Sequence, residues 1–288
     1  ETVYGLGADA FNTKAVAKIY SAKKRPNFNP LIVHVIDLET AQKFVYLDAD
    51  ALLLANNFWP GPLTIVAPIR AGSNLSELIT AGLDTIAIRV PAHPVARKLL
   101  EIFNGPLAAP SANPSGSISP TNASHVKNGL NGRIHAILNG GKCNVGLEST
   151  IILSQNEECH LLRSGGIPEK NIEEILGYKL LSNKHPISPI SPGQLSSHYA
   201  PNAKLRMNAQ SASEDEYMIG FGHIIGQLNL SSKGDLTEAA SNLFSYLHMA
   251  DEDTLTLGKT KIAIAPIPMN GLGIAINDRL KRASSPRD

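Results

Sequence analysis

The sequence is poor in cysteine, aromatic residues and net charge, and each shortage removes a class of explanation. Two cysteines in 288 residues, Cys143 and Cys159, build no disulfide framework and have no zinc-ligand spacing. A reducing compartment, the cytoplasm, is the simplest expectation from that usage. Aromatic residues make up 5% of the chain, with one tryptophan, and the formal net charge is +1. Few bases could stack on such a surface, and no global field draws it to RNA or to an acidic membrane. No apolar run approaches the roughly 20 residues a membrane span needs. There is no Walker A loop, no nucleophile elbow, no repeat and no low-complexity tract. Any basic site must be local.

Hydrophobic residues are nevertheless 43% and charged ones 18%, which fits a globular protein with a sizeable core. The length allows one large domain or two ordinary ones. The first residues, Glu1-Thr2-Val3-Tyr4-Gly5-Leu6-Gly7, read as the end of a strand entering a glycine turn, so a further N-terminal segment is expected ahead of Glu1.

Strands and helices then alternate. Asn12 or Thr13 caps a helix running to about Ala22, and Leu31 to Val35 is a buried strand rich in β-branched residues. Asp37 caps a second helix through Phe44 and Val45. Strands are expected at Leu63–Ala67, Thr85–Val90, Ala136–Asn139, Ser149–Leu153 and Cys159–Leu162, with helices at Pro94–Phe103 and about Glu169–Leu176. This pattern predicts an α/β domain over residues 1–181, a twisted sheet with helices packed on it. From residue 182 to 204 the chain is rich in proline and serine and reads as a stiff linker. Residues 205–288 predict a smaller α/β domain, with strands at Tyr217–Phe221 and Ile262–Ala265, a long amphipathic helix after Asp235 and a final helix over Gly271–Arg282.

The chemistry concentrates in a few short stretches. Lys23, Lys24 and Arg25 follow the first helix, and Pro26, Asn29 and Pro30 make the next turn rigid and polar. A solvated helix C-terminus would suit such cations, but a preset cationic loop leading into a buried strand also suits an exposed phosphate clamp. His34 sits within an apolar strand, as a satisfied core residue or as a ligand contact. Arg89 interrupts another strand, and a buried guanidinium must meet a carboxylate from protein or ligand. Arg163 ends a third, ahead of Ser164-Gly165-Gly166, and ligands of open α/β sheets collect at strand ends. Ala109-Pro110-Ser111-Ala112-Asn113-Pro114, continuing to Ser119 and Thr121, offers hydroxyls and amides on a proline-fixed loop capped into a helix by Thr121. Glu148 is the one carboxylate close to these motifs. The set points to positioning and electrostatics around phosphate rather than to covalent catalysis.

These residues carry a resemblance. Thr2-Val3-Tyr4-Gly5-Leu6-Gly7, Lys23-x-Arg25, Asn29-Pro30-Leu31, Trp59-Pro60-Gly61-Pro62-Leu63-Thr64, Arg89-Val90-Pro91, Ser111-Ala112-Asn113, Glu148-Ser149-Thr150, Arg163-Ser164-Gly165 and His198-Tyr199-Ala200-Pro201 resemble the threonylcarbamoyl-AMP synthases of the YrdC-like family, in the long form with an extra C-terminal domain. The likeness is near-continuous to about Pro201 and thinner beyond. It implies a YrdC-like twisted open mixed sheet with flanking helices, joined to a smaller Rossmann-like α/β domain. The implied reaction converts L-threonine, bicarbonate or CO2, and ATP with Mg2+ into threonylcarbamoyl-AMP and pyrophosphate. The adenylate would serve the threonylcarbamoyl modification of tRNA, with a downstream transferase complex as partner, weak tRNA or double-stranded RNA contact, no membrane and no protein-ligated metal. Carried over by motif, Lys23 and Arg25 would be catalytic. Thr2, His34, Arg89, Ala109 and Ser149 would hold threonine. Arg25, Asn29, Thr85, Ser111, Asn113, Ser119, Arg163 and Tyr199 would hold ATP, with the 182–204 linker as a lid.

The resemblance also implies a strand, a helix and a Pro-Thr pair ahead of Glu1. Leu195-Ser196-Ser197 departs from the basic or aromatic residues many members place there. The alternatives are an RNA-binding module of the same fold, carbamoyl transfer as in hydrogenase maturation proteins, and an inactive fragment. The second is disfavoured by the lack of an acylphosphatase-like segment and of zinc-finger cysteines.

Overall fold

The computed structural model describes residues 1–155, 158–182 and 198–286. Its first sheet has eight strands in the order β1-β5-β2-β4-β3-β6-β7-β8. In chain order the unit contains β1 (Ala8–Asp9), α1 (Thr13–Lys23), β2 (Ile32–His34), α2 (Leu38–Ala41), α3 (Ala49–Phe58), β3 (Leu63–Pro68), β4 (Thr85–Arg89), α4 (Pro94–Phe103), β5 (Leu107–Ala108), α5 (Ala123–Leu130), β6 (Thr150–Gln155), β7 (Glu158–Arg163), α6 (Glu169–Leu176) and β8 (Leu181–Ser182). Parallel and antiparallel pairs mix: β2 runs parallel to β4 and β3 parallel to β6, while β3–β4 and β6–β7 are antiparallel. The central strands are buried along nearly their whole length, which is why they read as continuous apolar runs.

Local chemistry explains the helix starts. The Asn12 side chain accepts from the Ala15 N–H, Asp37 from Thr40, Asp48 from Ala51 and Asn122 from His125. Several expectations change. The helix after Asp37 stops at Ala41 rather than Val45, because Phe44 and Val45 turn inward to the core. Helix α3, not anticipated, is announced only by its Asp48 cap. Residues Ala136–Asn139 form no strand; Ile137 packs on the small cluster of Ala112, Val126 and Leu130 instead of pairing with a neighbour. The helix after the hydroxyl-rich loop is capped by Asn122, leaving the Thr121 side chain fully buried against His125.

The second sheet is all parallel, in the order β11-β10-β12-β9, from β9 (Lys204–Arg206), β10 (Glu216–Gly220), β11 (Leu228–Asn229) and β12 (Lys261–Ile264). Two helices pack on it, α7 (Leu236–Thr256) and α8 (Leu272–Ala283). Its core runs through Ile219, Leu243, Phe244, Leu247, Ile262, Ile264 and Ile276, and does not stop at the unit's own border. Ile118 and Leu147 from the first unit's loops, and Tyr199 from the connecting segment, belong to the same cluster. Gly146 marks how close the two units come: a Cβ there would lie 2.6 Å from the Ala240 carbonyl oxygen of α7, and its φ is +72°. Of the linker expected at 182–204, residues 183–197 lie outside the described residues, including Leu195-Ser196-Ser197.

Candidate active site

Register brings the strand-borne residues together. In the β2–β4 pair His34 lies opposite Arg89, and in β2–β5 it lies opposite Leu107, two residues before Ala109, where the loop after β5 begins. The Ala109 N–H donates to the Ile32 carbonyl at 2.9 Å. On the far side, Arg163 ends β7 opposite Ile151 of β6. Gly165 lets the chain beyond β7 graze Glu148, Ser149 and Thr150, where a Cβ would sit 2.4 Å from their backbone. A cavity of about 60 Å³ lies among these ends. Thr2, His34, Arg89 and Ala109 bound it on one side, and Arg25, Ser111, Ser149, Arg163 and Tyr199 elsewhere. Thr2, His34, Arg89 and Ala109 also wall a broader cleft of about 970 Å³ running past α1 and α4.

Arg25 is held by carbonyl and amide oxygens, while Arg89 also meets a carboxylate. Arg25 donates through Nε to the Asn29 carbonyl (3.1 Å) and through Nη2 to Asn29 Oδ1 (2.6 Å) and the Pro30 carbonyl (2.8 Å). Arg163 donates through Nε and Nη2 to the Ser149 carbonyl (3.1 and 2.9 Å) and through Nη2 to Ser149 Oγ (3.1 Å). Ser149 Oγ in turn shares a 2.6 Å hydrogen bond with Thr64. Arg89 donates to the Gly61 carbonyl (2.9 Å), to Thr2 Oγ1 (3.0 Å) and to the Glu1 carboxylate, which also accepts from the Ala92 and His93 N–H groups at 3.2 Å each. The carboxylate that Arg89 meets in this structure is therefore one of the protein's own.

Burial shifts the titrations. It lowers Arg25 to about 10, still charged at neutral pH, and lowers Arg163 and Arg89 as well. It pushes His34 down to about 3, helped by the Arg89 charge, and His198 also to about 3, so both rings are neutral. The Nδ1 atoms of His34 and His198 and the Oδ1 of Asn113 are buried without a hydrogen-bond partner. Such atoms in a polar cavity point to a ligand or to water.

Most of the predicted residues gather, in differing roles. Lys23 is not at the cavity wall. It is buried, its Nζ donates to the Ser111 carbonyl at 2.6 Å and to the Asn113 carbonyl, and burial with the nearby Arg25 charge holds its pKa well below the ordinary value. It fixes the 111–113 loop. Arg25 is not the exposed clamp expected from sequence: it is 7% exposed, because the turn through Asn29 folds over it. Asn29 and Asn113 are buried supports, the latter donating to the Pro114 and Ser117 carbonyls. Ser119 donates to Glu148 at 2.6 Å. Thr85 is not brought to the cavity. It begins β4 opposite Pro68, and at roughly 3.3 Å per residue it lies about 13 Å from the Arg89 end.

Two contributors escaped the sequence reading as site residues. His198 lines the cavity beside Tyr199, and its place in the His-Tyr-Ala-Pro motif was the available signal. Arg279 reaches in from α8 and donates through Nε to Glu148 Oε2 at 2.9 Å. Its signal was a charge at helical spacing among Ala275, Ile276, Leu280 and Ala283, all buried.

Known proteins share this architecture throughout. The Sua5/YciO/YrdC family model, described as "Telomere recombination", matches residues 1–165, and the model described as "Threonylcarbamoyl-AMP synthase, C-terminal domain" matches residues 167–285. The threonylcarbamoyl-AMP synthase of Bacillus subtilis is 40% identical over 312 residues, covering 100% of this chain and 88% of the relative. That of Pyrococcus abyssi is 38% identical over 309 residues, covering 100% and 89%. The crystal structure of P. abyssi Sua5 complexed with L-threonine superposes with a TM-score of 0.89 at 36% identity, over 99% of this chain and 88% of that one. With a mixed sheet, a second parallel sheet and matches along its whole length, this chain belongs to the Sua5/YciO/YrdC family and carries the C-terminal domain of its threonylcarbamoyl-AMP synthases.

Proposed function

We propose that the chain is an L-threonylcarbamoyladenylate synthase, a nucleotidyltransferase acting on L-threonine, bicarbonate or CO2, and MgATP. One observation carries this reading: three buried guanidiniums, of Arg25, Arg89 and Arg163, converge on one cavity. There the partnerless His34 Nδ1 stands ready for a further polar contact. Relatives named for the reaction, and a relative crystallised with L-threonine, support it.

Threonine would lie in the wall common to the cavity and the broader cleft, against Arg89, Thr2, His34 and Ala109, with Ser149 reaching it from the cavity's other side. Its carboxylate would displace or share the place of the Glu1 side chain on Arg89. ATP would lie toward Arg25, Ser111, Arg163 and Tyr199, with Lys23, Asn29, Asn113 and Ser119 holding those groups from behind. The threonine amine takes up CO2, losing a proton, to give a carbamate. A carbamate oxygen then bonds to the α-phosphorus while the α–β bridging P–O bond breaks, and pyrophosphate leaves with that electron pair. Arg25 and Arg163 stabilise the charge developing on the phosphate oxygens, and their fixed carbonyl partners mean that little reorganisation is needed. Neutral His34 and His198 accept or donate hydrogen bonds without adding charge. Magnesium would arrive on the phosphates. Among the described residues no three His, Cys, Asp or Glu side chains gather to hold a metal, and the Glu148 oxygens are engaged by Ser119 and Arg279.

In this reading residues 1–181 form the catalytic unit, 182–204 a linker and lid, and 205–288 a small α/β domain. The cytoplasm, a downstream tRNA threonylcarbamoyl transferase complex and weak tRNA contact belong to the same proposal. No helix among the described residues is long and apolar enough to cross a membrane. The test is pyrophosphate release from MgATP. Release that requires both threonine and bicarbonate is the expected result; nucleotide binding with release indifferent to both would refute the assignment.

A further inference from the structure

We propose that Arg279, in the second unit, is a positioning residue for nucleotide binding in the first: it neutralises Glu148, the carboxylate facing the cavity of Arg25 and Arg163, and holds it against Ser119. The inference rests on the reading that the triphosphate lies by those two arginines.

The geometry is specific. Arg279 is 0% exposed, in the apolar stripe of α8, where an unpaired guanidinium would be strongly destabilising. Its fork makes three hydrogen bonds, Nε to Glu148 Oε2 at 2.9 Å, Nη2 to the Ser164 carbonyl at 2.8 Å and Nη1 to Asp278 Oδ2 at 2.7 Å, and its Cζ lies 5.3 Å from the Tyr199 ring centroid. Two of these anchors belong to the first unit. Asp278 also accepts from Arg282 Nε at 3.0 Å, so it is not a dedicated counter-ion. The second unit thus places a buried cation in its own helix and completes its partners across the border.

What it completes is a liability of the first unit. Glu148 is the one carboxylate among the described residues lining the cavity. Left unpaired, its charge would oppose the phosphates that Arg25 and Arg163 attract. Its backbone is also part of the wall: the Glu148 carbonyl accepts the Gly166 N–H at 2.9 Å, and the next residue is Ser149, the partner of Arg163. Burial pushes the Glu148 carboxyl up, yet Arg279, Arg163 and the Ser119 hydroxyl outweigh it and hold it below its ordinary value. The groups facing Glu148 are Ser119 from its loop, Arg163 from β7, His198 and Tyr199, and Arg279 with Asp278 from α8. Among the described residues only Arg279 both opposes its charge and hydrogen-bonds to it from the second unit.

The test is steady-state pyrophosphate release by the full chain and four variants: Arg279→Ala, Arg279→Lys, Glu148→Gln, and Arg279→Ala with Glu148→Gln. In Arg279→Ala the KM for ATP should rise on the order of tenfold or more, while that for threonine, held chiefly by Arg89, Thr2, His34 and Ala109, stays within about twofold. Lowering the pH from about 8 to about 6 should narrow the ATP gap, because an unpaired buried carboxylate takes up a proton. The double variant should recover most of the ATP affinity, and Arg279→Lys should be intermediate. An unchanged ATP KM in Arg279→Ala, a parallel rise for both substrates, a gap indifferent to pH, or a double variant no better than Arg279→Ala would each overturn the inference. If Arg279→Ala does not fold, Glu148→Gln decides: an ATP KM at or below the wild-type value supports the inference, and a raised one defeats it. Wild-type release indifferent to threonine and bicarbonate would instead defeat the synthase reading, a separate outcome of the same assay.

Discussion

The two sheets handle buried charge in opposite ways. In the first unit, Lys23, Arg25 and Arg163 are desolvated and find carbonyl oxygens of Ser111, Asn113, Asn29, Pro30 and Ser149. Carbonyls satisfy the N–H donors they meet without cancelling the charge, and Arg163 also feels the Glu148 carboxylate. In the second unit, buried Glu216 is closed off by Arg206, at 2.7 and 2.6 Å, and the pair cancels locally. Its deeply buried cation, Arg279, is turned toward the first unit, whereas Arg206 is largely exposed. The first unit keeps Lys23 and Arg25 half-answered while pairing Arg89 with Glu1, and the second answers Glu216 from within and turns Arg279 outward.

Variants can break or sharpen that contrast. Phe244→Ala removes a fully buried ring from the second core, stacked on Tyr199 with centroids 5.5 Å apart. It should cost about 3–5 kcal/mol in denaturant unfolding of the full chain. Because Tyr199 lines the cavity, ATP use should fall as well; full activity in the destabilised variant would mean that the second core does not support the site. Arg25→Ala should lower pyrophosphate release by about 10²–10³-fold. It should also lose stability of about 1–3 kcal/mol, since Asn29 and Pro30 lose their donor. A variant as active as wild type would show that the half-answered charge serves the fold alone.

Gly146→Ala tests the seam between the units. The Ala240 carbonyl stands where its Cβ would go and φ is positive, so a loss of about 1–3 kcal/mol in the unfolding midpoint analysis is expected. No loss would imply that α7 shifts freely against the loop. The smallest effect concerns His125 of α5 and His248 of α7, whose rings stack at 3.9 Å across the same seam. Around them lie Thr121, Asn122, the Ser119 carbonyl and Asp251. Burial, with the neighbouring His248, lowers His125 from 6.5 to about 4, and burial lowers His248 too. The unfolded chain therefore binds these protons first. The pair's contribution is fully present above about pH 6.5 and is lost as pH falls through about 4. Thermal midpoints of wild type and His125→Gln should diverge less at low pH; parallel curves would remove the pair from the seam's energetics.

Much of this was legible because it is local. Apolar runs at strand length, Asn and Asp caps, and proline-fixed turns marked β2, β3, β4, α1 and α4 within a residue or two. The cationic loop, Arg89, Arg163 and the 109–119 loop stood out because charges and hydroxyls interrupted those runs. Failures share a cause. Ala136–Asn139 has strand composition but no neighbour to pair with, and Thr85 shares a strand with Arg89 but lies at its other end. Lys23 was read as facing phosphate, yet the loop it ties down lies 88 residues away in sequence.

By itself the sequence marked most of the segments that become strands and helices, and which side chains bring charge to strand ends. Those are consequences of periodicity and of residue chemistry within one stretch of chain. Only the tertiary structure decided which charges are answered, and by what. That Arg89 meets Glu1, that Arg25 is covered by its own turn, and that Glu148 is held by Arg279, 131 residues away, depend on which surfaces meet when two cores are packed together. The worth of a buried charge is set by the partners that desolvation forces upon it, and those partners come from other parts of the chain.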